Sequence, residues 1–209
     1  MNELYFAPGA CSFVPHVGLE AVKAATGEDF TPHLVKLHKN EQKTPEYLAM
    51  NPNGRVPTIS DDGFILWESH VIVRYLARIH GKGALWPTDD KVNADADRWM
   101  EWYSTTLWPN LQPVFVNLVR TPPEKRDAKL IEAARAKLAD NFKIVENALA
   151  GRPYLAGKAF SMGDIPMGVS LHRWFLLPME RPDYPKLKAY YDRLAERPAF
   201  KEHCAAPLS

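Results

Sequence analysis

Val56-Pro57, and Glu68-Ser69 eleven residues beyond Pro57, are the positions in this chain whose residue types and spacing suggest chemistry. A proline inside an apolar, strand-like run gives up a ladder hydrogen bond, so it needs a reason to be there. One reason is a cis X-Pro bond, which turns the chain and leaves the preceding backbone free to pair with a ligand. Glu68-Ser69 stands where the apolar segment Phe64 to Trp67 gives way to the helical spacing of Val71, Ile72, Tyr75, Leu76 and Ile79. Backbone donors and a hydroxyl at a helix N-terminus form a carboxylate site. The neighbouring Glu68 carboxylate is suited to facing an ammonium group. Backbone pairing, a carboxylate site and an anion together suit a small zwitterionic peptide. A loop kink explains Val-Pro alone and a helix cap explains Glu-Ser alone; the strand between them joins the two.

The elements that must position these residues follow from periodicity. Leu4 to Phe6 reads as a short strand ending at Pro8-Gly9, and Val14, Val17, Ala21, Val22 and Ala25 mark a helix stopped by Thr26-Gly27. His33 to Leu37 reads as a second strand. Pro45 to Met50 is a short helix with proline in its first turn, and Asn51-Pro52-Asn53-Gly54 is a turn. Val56 to Ser60 and Phe64 to Trp67, separated by Asp61-Asp62-Gly63, read as a β-hairpin. A helix from Ser69 ends near Gly81, giving the order β-α-β-α-β-β-α. Residues 82–91 read as a linker between a domain spanning 1–81 and a second spanning 92–209. The second domain is helical throughout. Val92 to Leu107 starts a long helix disturbed by Pro109 and Pro113, Leu130 to Leu149 forms another, and Ser161-Met162-Gly163-Asp164 fits a capping box before Ile165. Leu187, Tyr190, Tyr191 and Leu194 mark a last amphipathic helix.

Composition narrows the class. The chain has 209 residues, 46% of them hydrophobic, enough to bury a substantial core. Its 26 basic and 25 acidic residues are interspersed and leave a net charge of +1. That balance offers no basic stripe for nucleic acid and no polybasic anchor for a membrane. The N-terminal residues do not form a signal peptide, and no segment reaches membrane-span length, so a cytoplasmic protein is expected. Cys11 and Cys204 lie near opposite ends and form neither a disulfide framework nor a Cys-x-x-Cys pair. The histidines show no metal-ligand spacing, and no metal is expected.

The β-α-β-α-β-β-α unit, the proline before its third strand and the helical remainder resemble the cytosolic glutathione S-transferases. The resemblance rests on Tyr5-Phe6-Ala7-Pro8-Gly9-Ala10-Cys11-Ser12, on Asn51-Pro52-Asn53-Gly54-Arg55-Val56-Pro57, and on Trp67-Glu68-Ser69 ahead of Ile72-Val73-Arg74-Tyr75-Leu76. Tyr154-Leu155-Ala156-Gly157 and Ser161-Met162-Gly163-Asp164 look like the family's segment leading into its buried central helix. Leu118 to Glu124 looks like a bacterial subgroup. The resemblance implies an α/β N-terminal thioredoxin-like domain plus an all-α C-terminal domain, the glutathione S-transferase fold. It also implies glutathione as co-substrate and a homodimer. Carried over residue by residue, it gives Val56 the backbone pairing with the cysteinyl part of glutathione, beside a cis Pro57. Glu68 and Ser69 hold the γ-glutamyl end. Either Gln42 or Lys39 reaches the glycyl carboxylate, and Arg55 adds positive charge.

Such an enzyme needs glutathione as a thiolate. A free thiol has a pKa near ~8.5, and a donor at a helix N-terminus stabilises the ionised form. Pro8 to Ser12 resembles the bacterial beta class, in which the cysteine lies beside the glutathione sulfur; the serine-using classes place a hydroxyl in the same turn. Cys11 is ranked nearest the sulfur and Ser12 second, with Tyr5 expected to pack. Where the beta class carries a histidine on the first long helix of its second domain, alignment on Trp99 and Pro113 puts Trp108. An indole cannot act as a base, so Trp108 is expected either to wall the electrophile pocket or to pack in the core. The leading expectation is conjugation of glutathione to small electrophiles. The alternatives are glutathione-dependent thiol–disulfide exchange at Cys11 and a non-catalytic glutathione-binding regulatory protein.

Overall fold

The protein is described by a computed structural model covering residues 2–7, 18, 23, 27, 29–81, 83–203 and 208. The chain forms two compact units, Met1–Thr88 and Asp89–Ser209. The first contains strands β1 (Asn2–Phe6), β2 (Phe30–Leu34), β3 (Thr58–Asp61) and β4 (Phe64–Trp67), ordered β2-β1-β3-β4. β1 pairs in parallel with β2 and antiparallel with β3, which pairs antiparallel with β4. A parallel pair requires a crossover connection; the helical pattern from Val14 to Ala25 falls almost entirely outside the described residues.

The β3–β4 connection sets the geometry of this unit. Asp62 (φ 46) and Gly63 (φ 88) both adopt left-handed backbone, the two-residue arrangement that matches the twist of a hairpin. It fixes Asp61 opposite Phe64 and Thr58 opposite Trp67. Helix α1 (Pro45–Met50) starts with proline and is capped by Thr44, whose Oγ1 accepts from the Tyr47 amide at 3.3 Å. Helix α2 (Ser69–Ile79) buries Ile72, Val73, Leu76 and Ala77.

The second strand lies three residues earlier than its apolar pattern predicts, at Phe30–Leu34 rather than His33 to Leu37. Pro32 sits inside it. An edge strand tolerates proline because one side of its ladder has no partner to serve. Leu37–Lys39 instead forms a 3-10 turn.

The second unit is built from α3 (Asp90–Trp102), α4 (Trp108–Phe115), α5 (Ala128–Ala148), α6 (Asp164–Leu176), α7 (Pro185–Ala195) and α8 (Pro198–His203). α3 begins at Asp90, capped by Asp89, whose carboxylate accepts from the amides of Lys91 and Val92. A π-helical turn at Tyr103–Leu107 joins α3 to α4, and another at Val116–Arg120 follows. Pro109 and Pro113 each lack an N–H for the ladder, and wider turns beside them accommodate the missing bonds. α6 is buried on nearly every side, as a helix through the middle of a bundle must be.

Asp164, at 0% exposure, anchors the start of α6. It accepts from the Leu155 amide (2.9 Å), the Ser161 amide (2.8 Å), the Ser161 hydroxyl (3.2 Å) and the Tyr190 hydroxyl (2.6 Å). Burial raises its pKa, and these hydrogen bonds oppose the rise. Beside it, a Cβ on Gly163 would lie 2.7 Å from the Ala96 carbonyl oxygen, so glycine allows α6 to meet α3 backbone to side. No helix among the described residues is long and apolar enough to cross a membrane.

Candidate functional site

The hairpin register brings the two sequence pairs to one end of the sheet. Thr58, immediately after Pro57, is opposite Trp67, immediately before Glu68. The Val56-Pro57 peptide is cis. Thr58 is also paired with Tyr5 on β1, so the chain leaving β1 through Phe6 and Ala7 departs at the same end. That chain leads to Cys11 and Ser12, which lie outside the described residues, as does Cys204.

A buried polar network underlies the Arg55–Val56–Pro57 segment. The Arg55 carbonyl accepts from the Tyr47 hydroxyl and from Asn51 Nδ2, both at 2.8 Å. Asn51 Nδ2 also donates to Thr58 Oγ1 (3.1 Å), which is 3.0 Å from the Tyr47 hydroxyl. Asn51 Oδ1 accepts from the Asn53 amide at 3.1 Å and from its side chain at 3.2 Å. Asn51 is only 2% exposed, and Tyr47 and Thr58 are buried, so each polar atom here needs its protein partner. Sequence reasoning read Asn51 as a turn residue and gave Tyr47 and Thr58 no role. The available signal was Tyr47 and Asn51 four residues apart, on one face of the end of α1.

Glu68 and Ser69 form the entrance to α2. Glu68 has φ 74 and ψ 111, a positive-φ conformation that a non-glycine residue adopts at a cost of about 1–3 kcal/mol and that clusters at ligand sites. Its carbonyl accepts the first helical bond, from Ile72 N at 2.9 Å, while its own side chain makes no capping hydrogen bond among the described residues. The Glu68 side chain is exposed and Ser69 is half-buried. An acid, a hydroxyl and a helix N-terminus therefore stand together in reach of solvent.

Gln42 lies in a 3-10 turn, Glu41–Lys43, against the same segment. Gly54 permits the approach: it is buried at φ +57, and a Cβ there would lie 2.9 Å from the Gln42 carbonyl and 2.6 Å from Lys43 Nζ. Gln42 Oε1 is buried with no hydrogen-bond partner among the described residues. Lys39 is exposed in the preceding turn, and the lysine that meets the segment is Lys43, whose Nζ donates to the Asn53 carbonyl at 3.4 Å. The Arg55 side chain is exposed, while its carbonyl is the network's acceptor.

Tyr5 packs. Its ring stacks on His33 at 4.7 Å and meets Tyr47 edge-on at 6.2 Å. Burial, reinforced by Glu3, raises its pKa, which keeps the phenol protonated. In the helical unit, half-buried Trp108 stacks on Tyr103 at 6.2 Å. The guanidinium of buried Arg173 lies 5.3 Å from the Trp108 ring and 5.0 Å from that of Phe115. This buried cation among aromatic rings was not legible in the sequence. Among the described residues no group of three His, Cys, Asp or Glu side chains is placed to hold a metal ion.

Comparison with known proteins accounts for this arrangement. Residues 4–78 match the N-terminal domain of glutathione S-transferase and residues 107–198 match its C-terminal domain. Glutathione S-transferase GstB of Escherichia coli K12 is 37% identical over 166 residues, covering 78% of this chain and 80% of its own. Among solved structures, a theta class glutathione S-transferase from Xanthomonas axonopodis pv. citri with glutathione bound superposes at a TM-score of 0.91. It shares 36% identity over 100% of this chain and 99% of its own. Glutathione S-transferase I from maize, in complex with an atrazine glutathione conjugate, superposes at 0.85 with 26% identity over 98% and 96% of the two chains. The chain belongs to the glutathione S-transferase family, and is a transferase with a thioredoxin-like N-terminal domain and an all-helical C-terminal domain.

Proposed function

We propose that this protein binds glutathione at the shared end of β3 and β4, ionises its thiol and conjugates it to small electrophiles. One observation carries the reading: the pairing of Thr58 with Trp67, which sets the Val56-Pro57 segment beside the entrance to α2. Val56 pairs its backbone with the cysteinyl portion of glutathione alongside Pro57. Ser69 and the first amides of α2 bind the γ-glutamyl carboxylate, and Glu68 faces the adjacent ammonium group. The Gln42 amide, with Arg55 nearby, meets the glycyl carboxylate. The bound structure from Xanthomonas axonopodis pv. citri, similar along its whole length, supports glutathione as the ligand.

Cys11 is assigned as the residue nearest the sulfur and Ser12 as the alternative donor. Lowering the glutathione pKa by one unit requires about 1.4 kcal/mol of preference for the thiolate, within reach of one charge-assisted hydrogen bond. Trp108 offers an aromatic wall to the electrophile, and holding the partners together supplies much of the rate. The protein acts in the cytoplasm as a homodimer.

Calorimetry with glutathione, followed by a conjugation assay with a chloronitroaromatic electrophile, tests the proposal. Saturable binding and turnover are expected. Binding without turnover would leave a regulatory glutathione-binding protein, and absence of binding would overturn the site assignment. Peptide mapping after treatment with oxidised glutathione tests the ranking of Cys11, which fails if the glutathionyl group maps only to Cys204.

A further inference from the structure

In the helical unit, Tyr103, Trp108, Arg173, Phe115 and Arg120 form one chain of aromatic rings and cations. Trp108 and Phe115 open and close α4 on one face, separated by roughly 10 Å along the helix axis. The Arg173 guanidinium, carried by α6, lies 5.3 Å from the first ring centroid and 5.0 Å from the second, so it fills the gap between them. Arg120 sets a second guanidinium 5.1 Å from the Phe115 centroid. Tyr103 lies at 17° to Trp108 with centroids 6.2 Å apart, an offset stack that covers the indole only in part.

Arg173 is 4% exposed, so its charge is screened far less than that of a surface arginine. A guanidinium stays protonated even when buried. Of the two rings that meet it, Phe115 is buried and Trp108 is half-buried. Trp108 is therefore the ring through which the buried charge can act on a ligand.

An indole face is electrostatically negative, and a planar ring that gathers electron density is repelled by it. A guanidinium held against the same indole offsets that repulsion. Whether the offset matters depends on where an electrophile's charge goes. When a thiolate attacks a halogen-bearing carbon of a nitroaromatic ring, the C–S bond forms first, and an electron pair moves into the ring and its nitro groups. The C–halogen bond then breaks, the halide leaves with its electron pair, and the ring is neutral again. At a benzylic carbon the C–S bond forms as the C–halogen bond breaks, the charge passes directly to the halide, and the ring stays neutral.

We infer that Arg173 is a positioning and specificity-determining residue of the electrophile pocket: held against Trp108, it favours electrophiles whose aromatic ring becomes anionic during substitution. The inference rests on the reading of Trp108 as a wall of that pocket. Arg173 acts through the indole and does not itself touch the substrate.

Steady-state conjugation of chlorodinitrobenzene and of nitrobenzyl chloride by the full chain, at saturating glutathione, tests this. Arg173→Met is expected to lower kcat/KM for chlorodinitrobenzene about tenfold and for nitrobenzyl chloride by less than about twofold. Arg173→Lys, which keeps the charge, should restore most of the loss, and calorimetric glutathione affinity should be unchanged in both variants. Equal losses with the two electrophiles, or no loss with either, would overturn the inference. A second measurement needs no variant. Against varied chlorodinitrobenzene, dinitrophenolate, a ring-delocalised anion at neutral pH, should compete about tenfold more tightly than neutral dinitrotoluene. Equal or reversed inhibition constants would overturn the inference as well. Trp108→Ala separates it from the reading beneath it. Unchanged KM for both electrophiles would remove Trp108 from the pocket and the role of Arg173 with it. Raised KM for both, with the wild-type ratio kept in Arg173→Met, would leave the wall in place and overturn the role of Arg173 alone.

Discussion

Replacing Asn51 with alanine tests whether the buried network holds the Arg55–Val56–Pro57 segment. The substitution removes the two bonds donated by Nδ2, to the Arg55 carbonyl and Thr58 Oγ1, and the two accepted by Oδ1 from Asn53. Asn53 is exposed, so its groups turn to water at little cost. The two buried bonds are worth about 0.5–1.5 kcal/mol each. The space vacated by the amide adds about 1 kcal/mol. A loss of about 2–4 kcal/mol is therefore expected on urea unfolding. Tyr47→Phe should cost about 1–3 kcal/mol, because its hydroxyl donates to the same Arg55 carbonyl and accepts from the Thr58 hydroxyl. Each single variant leaves the Arg55 carbonyl and the Thr58 hydroxyl with their other partner; the double variant strips both. Its cost should exceed the sum by about 1–3 kcal/mol. Additivity within about 0.5 kcal/mol would refute the shared-acceptor reasoning. Both singles should also weaken glutathione binding, since the carbonyl they release belongs to the residue before Val56.

Ser69→Ala should weaken glutathione binding by about 1–3 kcal/mol by calorimetry with melting nearly unchanged, the cost of a lost hydrogen bond to a charged group. Asp164→Asn places an amide N–H₂ against donors that now meet a carboxylate, and should lower stability by about 2–4 kcal/mol in urea unfolding while leaving glutathione affinity intact. Tyr75 donates to Asp61 at 2.6 Å, and that bond, helped by burial and by the charges of Asp61 and Asp62, lifts its pKa from 10.0 to about 12. The folded state then holds a proton that the unfolded state releases, so the contribution is full below pH about 10 and is lost as pH rises towards about 12. Tyr75→Phe should flatten that part of the stability-versus-pH curve.

Much of this was legible because local chemistry dictated it. Asp61-Asp62-Gly63 marked the hairpin, although Asp61 belongs to β3, which starts at Thr58 rather than Val56, and the turn itself is Asp62-Gly63. Pro45 after Thr44 marked the start of α1, and Asp164 three residues after Ser161 marked the entrance to the buried α6. What sequence could not supply depended on tertiary placement. The β2 boundary moved because edge position overrides the usual penalty on Pro32. Tyr47, Asn51 and Thr58 converge on one carbonyl only once α1 packs beside β3. The Arg173–Trp108 contact joins residues 65 positions apart on different helices. Gln42 was picked out by resemblance, but its contact with Gly54 depends on a left-handed backbone that sequence only permits.

Thiolate formation on bound glutathione is the most direct measure of whether these residues form a glutathione-activating site. Ultraviolet difference titration across pH, with glutathione saturating the protein, follows it. The expected midpoint lies at least about one unit below the ~8.5 of a free thiol. Ser69→Ala should diminish the signal at sub-saturating glutathione, because less ligand is bound. A midpoint that stays at the free-thiol value with glutathione demonstrably bound would contradict thiol activation at this site.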